Sequence, residues 1–208
     1  EPYILRNQTF NTTASIGIAL ASADYTSADE ILRDADTAMY EAKKQGRGKS
    51  VIFQTQMHTR VVNLLRMETD LRKALERNEF SIYYQPIISL DNFHTIGLEA
   101  LLRWHHPVQG LISPDLFIPL AEETGLINEL GLWVFESACT QLRLWQSKFF
   151  HHANLGMNIN VSAIQLGQRY LVNHIQDILD KTGIVSSTCR VEITESAMMQ
   201  DPEAALVI

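Results

Sequence analysis

From Phe80 onward, short runs of strand character alternate with longer stretches whose apolar residues recur at helical spacing. Few folds accept this alternation. Strands joined through helices of ten or more residues pair in parallel, so the segment reads as a parallel α/β sheet or barrel. Strands are expected at Phe80 to Ile88, Thr95 to Trp104, Asn154 to Val161 and Arg190 to Thr194. The first two flank the turn Leu90-Asp91-Asn92-Phe93, so they form an antiparallel hairpin. Helices are expected over Pro114 to Glu123, over the repeat Leu126, Leu130, Val134, Ala138 and Leu142, and over Leu171, Ile175 and Ile178 with an exit at Thr182-Gly183. Pro202 suits the first turn of a final helix.

Upstream the pattern is strand, helix, strand. Ser15 to Leu20 is a plausible strand, and Ser27 to Glu30 has the Ser-x-x-Glu spacing of a capping box. In the helix that follows, Leu32, Ala35, Met39 and Ala42 fall on one face, and Gly46 serves as its stop. Val51-Ile52-Phe53 is a short strand. A helix free of Gly and Pro then runs from about Met57 to Arg77, striped by Val61, Leu64, Leu71, Ala74 and Leu75. Its first half reads as a connector between two domains and its second half as part of the next.

Composition narrows the function. Apolar residues make up 46% of the 208 and charged residues 20%, enough to build a core and to exclude disorder as the main state. No apolar run approaches the roughly 20 residues that span a bilayer. A net charge of −7 argues against broad binding to nucleic acid or anionic lipid, but leaves room for a small phosphate ligand held by a few local cations. Cys139 and Cys189 have no metal-type pairing and read as reduced, buried thiols of a cytosolic protein. The seven histidines lack helical ligand spacing, and no nucleophile elbow, P-loop or Gly-x-Gly-x-x-Gly occurs. Glu1 to Phe10 lacks a signal-peptide layout and an initiator methionine, so the chain is expected to begin inside a longer protein.

The informative residues interrupt strands that should be apolar. Period-2 geometry puts Glu99, Leu101 and Arg103 on one face of their strand. Glu99 and Arg103 then lie about 13 Å apart along it, too far for an ion pair but suited to two parts of one ligand. Asn158, Asn160 and Ser162 alternate with apolar residues in the next strand, and Glu192 interrupts the one after. Each alone reads equally as a solvated strand-end residue. Three successive strands, each with an oxygen ligand near its C-terminal end, point instead to the active-site end of a barrel. Two carboxylates and an amide suit magnesium, manganese or calcium rather than zinc.

These residues carry a resemblance. Glu99-Ala100-Leu101-Leu102-Arg103-Trp104 resembles the signature of the EAL domain, the bacterial cyclic-di-GMP phosphodiesterase. Tyr83-Tyr84-Gln85-Pro86-Ile87, His106-Pro107, Phe117-Ile118-Pro119, Ala121 to Ile127, Asn158 to Ser162 and Glu192 to Ser196 fit its other motifs in order. Ala14 to Ala19 and Ala35 to Arg47 are similar to the end of a GGDEF domain, the diguanylate cyclase fold; Gly48 departs from its usual Asn. The resemblance implies an incomplete TIM-like (β/α) barrel of the EAL type with an antiparallel first strand, preceded by the α/β end of a GGDEF domain. The expected divisions are 1–54 for the GGDEF part, 55–66 for a helical connector and 67–208 for the EAL part.

By the same resemblance, Glu99, Asn160 and Glu192 are metal ligands for Mg2+ or Mn2+ in a two-metal site. Gln85 and Arg103 contact the cyclic dinucleotide, with Arg103 on a phosphate. Glu99 and Glu195 are the catalytic acids, Glu195 steadying a nearby catalytic loop. Lys43 and Arg47 match cations that touch nucleotide phosphate in GGDEF domains, though they also simply complement a helix C-terminus. The implied activity is hydrolysis of cyclic-di-GMP to linear pGpG; the alternative is a catalytically inactive cyclic-di-GMP-binding or regulatory EAL module. No nucleic-acid partner is implied. The parent is expected to be a bacterial cytoplasmic protein, a homodimer through its EAL domain, with an upstream sensor or GGDEF region and room for a membrane tether elsewhere. The family's Asp-Asp motif, catalytic lysine and last glutamate fall beyond Ile208, so this chain alone is expected to be inactive or nearly so.

Overall fold

The computed structural model describes residues 3–5, 8–10, 12–22, 25–149 and 155–193. Its elements follow in the order β1 (Tyr3–Leu5), β2 (Gln8–Phe10), β3 (Ile16–Ile18), α1 (Ala28–Lys44), β4 (Ser50–Ile52), α2 (Thr55–Ala74), β5 (Phe80–Ile88), β6 (Thr95–His106) and β7 (Gly110–Ile112). After these come α3 (Pro114–Thr124), α4 (Ile127–Lys148), β8 (Gly156–Val161), α5 (Ala163–Leu166), α6 (Leu171–Thr182) and β9 (Cys189–Ile193). The chain divides into two units, Glu1–Met67 and Glu68–Ile208, with the division falling inside α2.

In the first unit, β1 and β2 pair antiparallel, while β3 and β4 pair in parallel across α1. Ser27 caps α1, its Oγ accepting from the Glu30 N–H. The Glu30 carboxylate bonds Thr26, accepting from its N–H at 2.7 Å and its hydroxyl at 3.0 Å, so the cap closes one residue further back than the expected box. The buried line of α1 is Asp34, Ala38 and Ala42. Of the expected face, Ala42 is buried and Ala35 and Met39 are half-buried, while Leu32, 67% exposed, departs from it. Strand β3 packs closely on that face: a Cβ on Gly17 would sit 1.9 Å from the Ala35 carbonyl oxygen and 2.3 Å from the Met39 backbone nitrogen. Gly46, at φ 102°, ends the helix, and the Arg47 N–H reaches back to the Ala42 carbonyl at 3.2 Å.

The second unit is built on the sheet β5-β6-β8-β9, with β7 paired to β6. The hairpin is antiparallel from Phe80↔Trp104 to Ile88↔Thr95, whereas β6–β8 and β8–β9 are parallel. Asn92 shapes the hairpin turn by accepting from the His94 N–H at 3.0 Å. Ala100, Met157 and Ile159 face Val134, Ala138, Cys139 and Leu142 of α4 and Ile178 and Leu179 of α6. Each large side chain removed from water here stabilises the unit by about 1.5–3 kcal/mol. A second knot joins Phe80, Trp104 and Phe117, and the Trp104 indole N–H donates to Glu79 at 3.0 Å.

The helix ends follow the sequence. Gly125 stops α3 at φ 77° and Gly183 stops α6 at φ 67°, both left-handed conformations that favour glycine. Strand β6 runs two residues past the expected Trp104, because β7 supplies it a partner through Trp104↔Ile112 and His106↔Gly110. Strand β8 begins at Gly156, and its expected first residue, Asn154, lies outside the described residues, as do Thr194 and the helix expected at Pro202.

Candidate functional site

Pleating decides what shares a face. In the registers of the sheet, Gln85 lies opposite Glu99, Glu99 opposite Asn158, Asn158 opposite Arg190, and Asn160 opposite Glu192. Cross-strand partners point the same way and so do residues two apart, so Gln85, Glu99, Arg103, Asn158, Asn160 and Glu192 lie on the face opposite the helices. On that face the carboxylates are held diagonally. The Asn160 Nδ2 donates to Glu99 Oε1 at 2.9 Å, and the Asn158 Nδ2 donates to Glu192 Oε1 at 2.5 Å. Both asparagines come from β8, the central parallel strand. Asn158 is buried, and its Oδ1 has no hydrogen-bond partner among the described residues.

Asn160 and Glu192 stand near the C-terminal ends of β8 and β9, as expected. Glu99 does not; it is mid-strand in β6, which continues to His106. The β8 pairing covers only Gly97 to Ala100, so Glu99 sits where the parallel part of β6 ends and the hairpin part runs on. Arg103 lies on that extension. Its Nη1 donates to the Leu102 carbonyl at 2.9 Å, and its guanidinium lies 5.2 Å from the centre of the Tyr83 ring. No ion pair joins it to Glu99 among the described residues, in keeping with their separation along the strand.

Arg103 and Asn160 border a cleft of about 380 Å³ between the sheet and α3–α5, lined also by Asp115, Glu122, Ser162 and Gln165. Burial raises the Glu122 pKa above the usual carboxylate value. The turn after Asn160 is fixed by a full capping box. Ser162 Oγ accepts from the Gln165 N–H, and Gln165 Oε1 accepts from the Ser162 N–H at 3.1 Å.

Other expected residues lie elsewhere. Lys43 and Arg47 are exposed in the first unit, at the end of α1 and in the turn after it. Glu195 lies outside the described residues. No group of three or more His, Cys, Asp or Glu side chains is placed to hold a metal ion among the described residues; the gathered set is two carboxylates and two amides. Sequence reasoning picked out Asn158 beside Asn160 as a polar residue of the strand but gave it no role, because nothing in a single strand shows which acid each amide will meet. It also passed over the Ser162–Gln165 box, whose spacing was plain. Cys139 and Cys189, far apart in sequence, meet in the core, where a hydrogen bond between them and burial push the Cys139 thiol up.

Comparison with known proteins places this geometry in a family. The EAL domain model matches residues 68–208, and the model for the diguanylate cyclase, GGDEF domain matches residues 1–49. The chain is 42% identical over its whole length to the bifunctional diguanylate cyclase/cyclic di-GMP phosphodiesterase MucR of Pseudomonas aeruginosa, spanning 30% of that protein. It is 40% identical over 95% of its length to the cyclic di-GMP phosphodiesterase PdeR of Escherichia coli, spanning 29% of it. Among solved structures, the MucR phosphodiesterase in complex with c-di-GMP matches with a TM-score of 0.64 and 44% identity, covering 68% of this chain and 57% of that one. The EAL enzyme Bd1971, bound to cAMP and cyclic-di-GMP, matches with a TM-score of 0.65 and 31% identity, covering 71% of this chain and 40% of that one. The sheet and helices of the second unit are thus part of a TIM-like barrel whose first strand pair is antiparallel. The chain belongs to the EAL domain family, and its opening residues carry the end of a GGDEF domain.

Proposed function

We propose that this chain supplies the first part of a metal-dependent phosphodiesterase site that hydrolyses cyclic-di-GMP to linear pGpG. One observation carries the reading: three neighbouring strands bring Glu99, Asn160 and Glu192 to one sheet face, with Arg103 at the rim of the adjoining cleft. The phosphodiesterase names of MucR and PdeR, and the c-di-GMP complex of MucR, support it. The same reading assigns 1–54 to a GGDEF part, 55–66 to a connector and 67–208 to the EAL part. It also places the protein in the bacterial cytoplasm, in keeping with two free cysteines and with no helix among the described residues long and apolar enough to cross a membrane.

EAL phosphodiesterases are generally metal-dependent. The donor chemistry here fits a hard divalent cation, since the candidate ligand atoms are two carboxylates and an amide oxygen. Glu99, Asn160 and Glu192 would hold magnesium or manganese. With its Nδ2 given to Glu99, Asn160 keeps Oδ1 as a ligand atom. When bound, such a cation would supply charge neutralisation at the phosphodiester and a lowered pKa for a bound water. Arg103 would leave the Leu102 carbonyl and take a phosphate oxygen, a role its planar fork suits. Gln85, exposed beside Glu99, would hold the ligand's near side. Glu195 keeps its expected part in steadying a catalytic loop. In the test, purified full-length protein is given cyclic-di-GMP with magnesium or manganese and the nucleotides are separated by chromatography. Linear pGpG is the expected product, and chelation should stop its formation. Turnover that persists with the metals chelated overturns the reading.

A further inference from the structure

We propose that Asn158 is a positioning residue for Glu192, fixing that carboxylate for a divalent cation before the cation arrives. The inference rests on the reading of Glu192 as a metal ligand. An ionised carboxylate only accepts, so the contact with Glu192 runs from the Asn158 amide nitrogen. That sets the amide's orientation, because turning it over would face oxygen to oxygen. The strand around it is rigid: Met157 is fully buried, Ile159 nearly so, and Asn158 itself is 9% exposed. With Oε1 tied to Asn158, the Glu192 carboxylate is restrained and Oε2 is left for a ligand.

Packing alone does not explain an asparagine here. Its Oδ1 is buried without a partner among the described residues, a burden that a leucine of similar size would not carry. What asparagine supplies and leucine does not is the N–H to Glu192. The arrangement is repeated two residues on, where Asn160 donates to Glu99. Strand β8 thus gives an amide donor to the carboxylate of each neighbouring strand. A flexible glutamate ordered in advance binds a cation with less loss of freedom, and outer partners of this kind are typically worth about 10–100-fold in metal affinity.

The experiment measures Mn2+ binding by electron paramagnetic resonance in the full-length protein, without substrate, for wild type, Asn158→Leu, Glu192→Gln and the double variant. Asn158→Leu should weaken Mn2+ binding about 10–100-fold, and should add little in the Glu192→Gln background, since its effect passes through Glu192. Its thermal midpoint in chelator should match or exceed that of wild type. Asn158→Ala completes the same cycle where leucine prevents folding. Unchanged Mn2+ affinity in the Asn158 variants, or a loss that simply adds to that of Glu192→Gln, overturns the proposal while the site reading stands. Wild-type affinity in Glu192→Gln removes Glu192 as a ligand and the proposal with it.

Discussion

Tyr84 shows how burial alone changes a side chain's chemistry. Its ring meets Trp145 edge-on at 4.8 Å, and burial pushes its pKa up to about 12. The folded state therefore holds the phenol proton where the unfolded chain releases it. The resulting stability is complete below about pH 10, the usual tyrosine value, and is lost as pH rises towards about 12. Tyr84→Phe should remove that part of the alkaline destabilisation, measured as denaturation midpoints from pH 9 to 12; an unchanged alkaline slope contradicts it. Asp34 works on the acid side. Burial alone would raise it, but hydrogen bonds from the Tyr25 hydroxyl at 2.9 Å and from His58 at 2.7 Å outweigh that and hold it below the usual value. Stability from Asp34 is present above the ordinary carboxylate pKa and is lost as pH falls through the depressed one. Asp34→Asn should flatten the acid limb of the first unit's stability curve. Neither environment was legible in the sequence, since Tyr84 meets Trp145 and Asp34 meets His58 only once the chain is folded.

At the scale of elements, helices and strands were legible where periodicity repeats, and close approaches were not. The Leu130, Val134, Ala138 and Leu142 repeat lies on the buried side of α4 because each residue meets the sheet every fourth position. Leu32 departs from the same reasoning and stands exposed, while β3 packs through Gly17 directly on the α1 backbone at Ala35 and Met39, an approach that periodicity does not show. Strand β7, only three residues long, carries no pattern and exists because β6 needs a partner there. A comparable approach links α4 to the site. A Cβ on Gly131 would meet the Gln165 Nε2 at 1.9 Å, and Gln165 closes the cap on the turn after Asn160. Gly131→Ala should push the Gln165 amide off the Ser162 N–H, costing about 1 kcal/mol for the lost cap bond against about 1 kcal/mol of helix propensity gained over glycine, so chemical denaturation should show little net change. Gln165→Ala should relieve that clash while losing the cap, so the two changes should be strongly non-additive. Simple additivity would show that Gly131 and Gln165 do not share the space.

For the whole molecule, the antiparallel entry strand pair and the parallel strands that follow bring five sequence-picked residues, Gln85, Glu99, Arg103, Asn160 and Glu192, to one sheet face. That much was legible, because strand parity fixes the face once each strand is found. The diagonal pairing was not. Register alone would set Glu99 against Asn158, whereas the side chains join Glu99 to Asn160 and Glu192 to Asn158. The central claim is that this face is a metal-dependent phosphodiesterase site. Its most direct test is Glu99→Gln in the full-length protein, with pGpG formation and cyclic-di-GMP binding followed side by side at saturating Mn2+. Turnover should fall by at least about a hundredfold, about 2.7 kcal/mol of lost metal chemistry, while the nucleotide binding proposed for Arg103 and Gln85 largely survives. A Glu99→Gln protein that hydrolyses cyclic-di-GMP at the wild-type rate would contradict the claim.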